Sequence, residues 1–180
     1  MVKTSREQII ATAEALIQEN DTAEVSLTQL SQRLGITHGA LYKHFQNKQD
    51  LWTAVSSAWF NREIIGRLQL PTHGSRDQRL HDWLWAFVNA KKAAFNSDAK
   101  MFSLNTAYVD NNPAALHQVL TGAYHQMNRI LGLPVEEKDH AEMILATFAI
   151  FTLPNFKETW NDAAYQQRFE AIWQLIKAGI

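Results

Sequence analysis

The sequence predicts an all-α protein of about nine helices, and three observations lead there. Apolar residues recur at helical spacing along nearly the whole chain, and nothing alternates for long with the period of two that a strand requires. Pro and Gly are few, four and seven in 180 residues, and fall between the periodic segments. Helix-start signatures stand at the head of several of those segments.

The first helix opens at Ser5, which forms the capping box Ser-Arg-Glu-Gln with Gln8. Ile9, Ile10, Ala13, Leu16 and Ile17 make its apolar stripe, and the polar run Glu19-Asn20-Asp21-Thr22 ends it. A second box, Ser26-Leu-Thr-Gln29, starts a short helix carrying Leu27, Leu30 and Leu34. Gly35 closes that helix, at a turn that calls for positive φ. Thr37 caps a third short helix running to about His44, and Asn47 with Asp50 caps a fourth, long one extending toward Leu70. Pro71-Thr-His-Gly-Ser75 is the clearest boundary in the chain. Beyond it helices are expected near 76–96, 98–109, 113–131, 136–153 and 162–178. Asn112 before Pro113 is a helix start, Gly132-Leu-Pro134 separates the next two helices, and Pro154 stops or kinks the penultimate one.

Composition narrows the functional classes. With 46% apolar and 19% charged residues the chain is globular, and at 180 residues it needs neither disulfide nor structural metal to hold a core. It has no cysteine, so a disulfide framework, a thiolate zinc site and a cysteine nucleophile are all excluded. No apolar run approaches the roughly 18 residues of a membrane span, and the opening Met-Val-Lys-Thr-Ser-Arg-Glu-Gln lacks the apolar core of a signal peptide. No membrane partner and a cytoplasmic location are therefore expected. The net charge of −1 announces no polyanion partner. Within residues 1–50, Lys3, Arg6, Arg33, Lys43 and Lys48 face Glu7, Glu14, Glu19, Asp21, Glu24 and Asp50, so only placement of the cations could favour nucleic acid.

The informative stretch is Ser26 to Leu51, two short helices joined by a turn on Gly35. Leu30, Leu34, Ile36, Leu41 and Phe45 are spaced to pack the pair together and onto the first helix, which leaves Thr37, His38, Gly39, Ala40, Tyr42, Lys43 and His44 outside the core. A pair of this shape places its second helix in the major groove of DNA. Gly39 and Ala40 are small enough for close approach, and Tyr42 and Lys43 are long donors suited to phosphate oxygens, with Lys48 at the start of the next helix. His44 reads equally as a half-buried hydrogen-bonding residue or as a phosphate contact. Lys3 and Arg6 read as solvated charges or as a short arm toward DNA.

These residues resemble the DNA-binding domain of the TetR family of regulators. The family signature Tyr-x-His-Phe-x-x-Lys-x-x-Leu is matched at every defined position by Tyr42-Lys43-His44-Phe45-Gln46-Asn47-Lys48-Gln49-Asp50-Leu51. The resemblance is specific over about residues 5–52 and architectural beyond. It implies that Thr37, His38, Tyr42, Lys43 and Lys48 lie at the DNA, with Ser26 or Thr28 at the start of the preceding helix. Ser31, where the family usually has alanine, and the opening Thr37-His38-Gly39 depart from its pattern. On this reading residues 1–50 are a three-helix DNA-binding domain, helix four links from about 47, and 51–180 are a helical ligand-binding and dimerisation domain.

The resemblance further implies a homodimer, a double-stranded operator and a small apolar or aromatic ligand. Trp83, Phe87, Phe102, Tyr108, Tyr124, Met127 and Phe148 are the candidate pocket lining, with Asn105 and Gln126 supplying polarity. Met143, Thr147, Phe151, Tyr165, Phe169, Ile172, Trp173 and Ile176 on the last two helices are the candidate dimer interface, unless these stripes pack inside one subunit. An enzyme is not expected, because no His-x-x-x-His pair, Gly-rich phosphate loop or Gly-x-Ser-x-Gly elbow is present. His117 and His125 are at best a loose metal spacing, and no cofactor or metal is expected. The rival reading is a helical adaptor without DNA binding, which leaves the polar, small-residue face of the third helix unexplained.

Overall fold

A computed structural model describes residues 4–20, 23, 25–137 and 139–180, and among these there is no strand. Ten α-helices are described: α1 (Arg6–Glu19), α2 (Leu27–Leu34), α3 (His38–Leu41), α4 (Lys48–Glu63), α5 (Arg76–Ser97), α6 (Ala99–Asn105), α7 (Pro113–Leu131), α8 (Asp139–Thr147), α9 (Ala149–Thr152) and α10 (Tyr165–Ile176). They pack as two compact units, one of Met1–Asn61 with Asp98–Leu116, the other of Arg62–Ser97 with His117–Ile180.

The first unit is held by caps and by one apolar seam. Both expected capping boxes form: Ser5 Oγ accepts the Gln8 N–H and the Ser5 N–H donates to Gln8 Oε1, and Ser26 and Gln29 repeat the exchange. Ile9, Ala13, Leu16 and Ile17 of α1 are buried with Leu30, Leu41 and Phe45. From α4 come Leu51, Trp52, Val55, Ser56, Trp59 and Phe60, one helical stripe. The chain then returns to this unit at Asp98. Gln18 donates to Asp98 Oδ2 at 2.7 Å, and Lys100 Nζ donates to the carbonyls of Gln18 and Asn20 at the C-terminal end of α1. A cation there satisfies orphan carbonyls and complements the helix dipole.

The expected helix at 98–109 is thus α6, capped by Asp98, followed by one π-helical turn over Thr106–Asp110. The fourth helix stops at Glu63 rather than Leu70. A 3₁₀ turn, Ile65–Arg67, follows it, where Gly66 weakens the helix and Pro71 bars Leu70 from helical geometry. Accordingly the packing boundary falls at 61/62, ahead of the 71–75 loop.

The second unit buries aromatic rings. Trp83 and Phe87 of α5 stack at 5.6 Å and 10°, while Phe169 of α10 lies 5.0 Å from Phe148 and 4.8 Å from Trp85. The polar atoms these rings carry inward are satisfied. Trp83 Nε1 donates to Gln126 at 2.8 Å, Trp160 Nε1 to the Ile150 carbonyl at 2.9 Å, and Tyr165 Oη to the Val88 carbonyl at 3.2 Å. Burial pushes the Tyr165 phenol well above its ordinary value, and it raises Tyr124 to about 12, with Glu142 adding to the rise. The helix expected at 136–153 breaks at Phe148, whose N–H bonds only to the Leu145 carbonyl. Asn112 caps α7 and Gly132, with φ 74°, closes it, both as expected.

This core corrects the interface expectation. Phe151, Tyr165, Phe169 and Trp173 are buried inside one subunit, so this part of the expected interface packs internally. Ile172 and Ile176 are half-buried, and Met143 and Thr147 are exposed. Replacing Phe169 by alanine is expected to lower the unfolding free energy by about 3–5 kcal/mol, read as the urea midpoint. A loss below 1 kcal/mol would contradict its place in the core.

Candidate nucleic-acid interface

The third helix is short enough that its ends decide its geometry. Gly35, at φ 65° and ψ 31°, ends α2 in the left-handed region, and the Ile36 N–H bonds back to the Ser31 carbonyl at 3.0 Å. Thr37 then caps α3, its Oγ1 accepting the Ala40 N–H at 3.3 Å. The α-helix proper is one turn, His38–Leu41, and hydrogen-bonded turns carry it on to Phe45. The buried Ser31, one of the two departures from the TetR pattern, donates its hydroxyl to the Thr28 carbonyl at 3.0 Å and so leaves no polar group unsatisfied.

Packing splits this segment into two sides. Leu41 and Phe45 are buried, as is Leu30 opposite them. Thr37, His38, Gly39, Tyr42 and Lys43 are exposed, and Ala40 and His44 are half-buried. Tyr42 is 48% exposed, which removes it from the core. Ser26, Thr28 and Lys48 are exposed as well. The residues expected at DNA are therefore all in the first unit, and most of them are open to solvent.

Charge placement, which the net balance hid, is now legible. Arg33 is tied to Glu19 by two bonds of 3.0 and 2.5 Å, and Glu19 is thereby held below the usual carboxylate range. Arg6 is paired with Asp50 at 3.5 Å. Lys43 and Lys48 have no ion-pair partner among the described residues. Lys3 lies outside the described residues.

Arg6 had two readings, a solvated charge or an arm toward DNA; its side chain is 42% exposed and engages partners within the first unit. Its guanidinium lies 4.2 Å over the Phe45 ring, and Nη1 donates to the His44 carbonyl at 2.6 Å. Asp50, its partner, accepts the Gln46 N–H at 2.8 Å, while the Asp50 N–H donates to Asn47 Oδ1 at 2.8 Å. One side chain of α1 thus holds the last turn after α3 and the start of α4 together. Sequence reasoning missed this; the only signal was an arginine at the head of an otherwise acidic first turn.

A family model for bacterial regulatory proteins of the tetR family matches residues 9–55. Over the whole chain the fold is similar to that of SCO0253, a TetR-family transcriptional regulator from Streptomyces coelicolor, at 25% identity and TM-score 0.59, covering 99% of this chain and 95% of that one. The likeness to the TetR family thus holds for residues 9–55 by sequence and for the rest of the chain by fold. Two further solved structures are similar in fold. BioQ, solved with its double-stranded DNA operator, has 18% identity and TM-score 0.62, covering 97% of this chain and 99% of that one. The Streptomyces coelicolor TetR family protein ActR, in complex with (S)-DNPA, has 16% identity and TM-score 0.53, covering 99% and 98%.

The expected ligand-pocket residues are not brought together within one unit. Trp83, Phe87, Tyr124, Gln126, Met127 and Phe148 lie in the second unit, where Trp83 stacks on Phe87 and donates to Gln126. Phe102, Asn105 and Tyr108 belong to the first. Asn105 donates to Asp110 Oδ2 at 3.1 Å, and its own Oδ1 is buried without a partner among the described residues.

If Arg6 is a clamp, Arg6→Gln should weaken binding to duplex DNA while leaving the slope of log K against log salt unchanged. An arm that neutralised a phosphate would instead lower that slope by about 0.9. A changed slope with an unchanged unfolding midpoint would refute the clamp.

Proposed function

We propose that this protein is a sequence-specific DNA-binding transcription repressor, acting as a homodimer on a near-palindromic operator and released by a small-molecule ligand. The observation that carries it is the exposed face of Thr37, His38, Tyr42 and Lys43 on a capped, packed helix pair inside the segment that matches the family. That Lys43 and Lys48 have no ion-pair partner among the described residues supports it further. Residues 1–50 carry DNA binding on this reading, and residues 51–180 carry ligand binding and dimerisation. Thr37, His38, Gly39 and Ala40 approach base edges. Tyr42, Lys43, His44, Lys48, Ser26 and Thr28 hold the phosphate backbone.

Proteins of this family are generally regulators rather than enzymes, and the chain is proposed to bind without catalysis, in the cytoplasm. No described helix is long and apolar enough to cross a membrane. Twofold symmetry suits the operator, since two recognition helices one DNA turn apart, about 34–36 Å, read a near-palindrome. The exposed apolar side chains suited to that contact are Met143 on α8, 69% exposed, and Leu175 on α10, 82% exposed. Release follows if the ligand prefers a state in which the recognition helices no longer match the operator. BioQ bound to its operator and ActR bound to (S)-DNPA support the two halves of this reading by analogy of fold.

Fluorescence anisotropy with duplexes tiled beside the protein's own gene tests it. One tile should bind far more tightly than the rest, with a steep salt dependence. Lys43→Ala should weaken that binding and lower the salt slope by about one; unchanged binding by both Lys43→Ala and Tyr42→Ala would reject the face. Leu175→Asp should yield folded monomers in sedimentation, and a persisting dimer would move the interface elsewhere.

A further inference from the structure

The first unit holds a cavity of about 500 Å³ that adjoins the proposed DNA face at Ser26 and Lys48, within the roughly 300–1,000 Å³ of small-molecule sites. Val25 and Trp52 form one side, and Leu104 and Tyr108 come from the returning segment 98–116. The Trp52 and Tyr108 rings lie 6.5 Å apart, tilted at 44°. Lys48 is the one charged group among the described lining residues, and it has no hydrogen-bond or ion-pair partner among the described residues. Ser26 and Gln29 also line the cavity but already satisfy each other in their capping box. That leaves the Lys48 ammonium, the Ser103 hydroxyl and the Tyr108 phenol as donors, with no carboxylate in the described lining. Aromatic walls with a lone cation and further donors match a flat apolar anion.

We infer that this cavity binds a small aromatic carboxylate, its ring against Trp52 and Tyr108 and its carboxylate on Lys48. The π turn at Thr106–Asp110 builds the wall. The Asn111 N–H reaches the Thr106 carbonyl at 3.1 Å, and the extra residue sets Ala107 and Tyr108 into the lining. Single π turns of this kind are frequent at functional sites. Because Lys48 also belongs to the proposed DNA face, a bound carboxylate and a backbone phosphate exclude each other. This makes the cavity a direct competitive control, separate from a ligand in the second unit. Only the competition rests on the DNA-binding reading; the site itself does not.

The test uses the full chain labelled with 5-fluorotryptophan, with the Trp52 fluorine resonance assigned by its loss in Trp52→Phe. Titration with 2-naphthoate should move the Trp52 resonance saturably, and neutral 2-naphthamide should bind about tenfold more weakly, lacking a charge-assisted bond to Lys48. Ala107→Leu fills the cavity from an exposed position and should abolish the shift while duplex binding persists. Ser103→Leu should do the same from a second position. Naphthoate should displace labelled duplex from the parent protein and not from Ala107→Leu. No saturable Trp52 shift, a shift confined to Trp83 and Trp85, or equal affinity for the amide would each overturn the site. A saturable Trp52 shift in a protein that binds no duplex would support the site and count against the DNA reading instead.

Discussion

A helix of one turn has no stability of its own, because nucleation costs more order than one hydrogen bond returns. His38–Leu41 is such a helix, and the side chains proposed to meet DNA hang from it. Its existence depends on burial of Leu41 and Phe45 against α1 and α2, and on Arg6 closing the far end over the Phe45 ring. Gly35 and Thr37 fix where the turn begins. With both ends and the inner face held, the outer residues share one rigid frame, as a constellation of contacts to a stiff duplex requires.

The same economy explains why a chain of net charge −1 can present a cationic face. Arg6 and Arg33 pair with Asp50 and Glu19 within the first unit, which leaves Lys43 and Lys48 without an ion-pair partner among the described residues. Segregation of paired from unpaired charge produces a local field that the total does not show. In the second unit, the ring-borne donors of Trp83, Trp160 and Tyr165 all find acceptors, so its aromatic core is both apolar and specified in orientation.

Local rules explain which parts were legible in advance. Capping boxes at Ser5 and Ser26, the Gly35 turn, the Thr37 cap and the Asn112-Pro113 start all formed where expected. Each depends on residues within four positions of one another. The errors lie where distant segments meet. An apolar stripe at Tyr165, Phe169 and Trp173 looks the same whether it faces a second subunit or the helix above it, and here α5 and the α8–α9 pair occupy that face. The return of 98–116 to the first unit gave no periodic sign, since it depends on Gln18, Asp98 and Lys100 meeting across about 80 positions.

The sequence by itself determined the fold class, the positions of most helix ends and the segment that matches the family model, because these follow from short-range hydrogen bonding and helical periodicity. Only the tertiary structure decided which apolar faces are covered, that Arg6 lies over Phe45 and that a cavity forms beside Lys48. Those outcomes depend on which surfaces the folded chain brings into contact, and burial is a property of the assembled pair rather than of either segment.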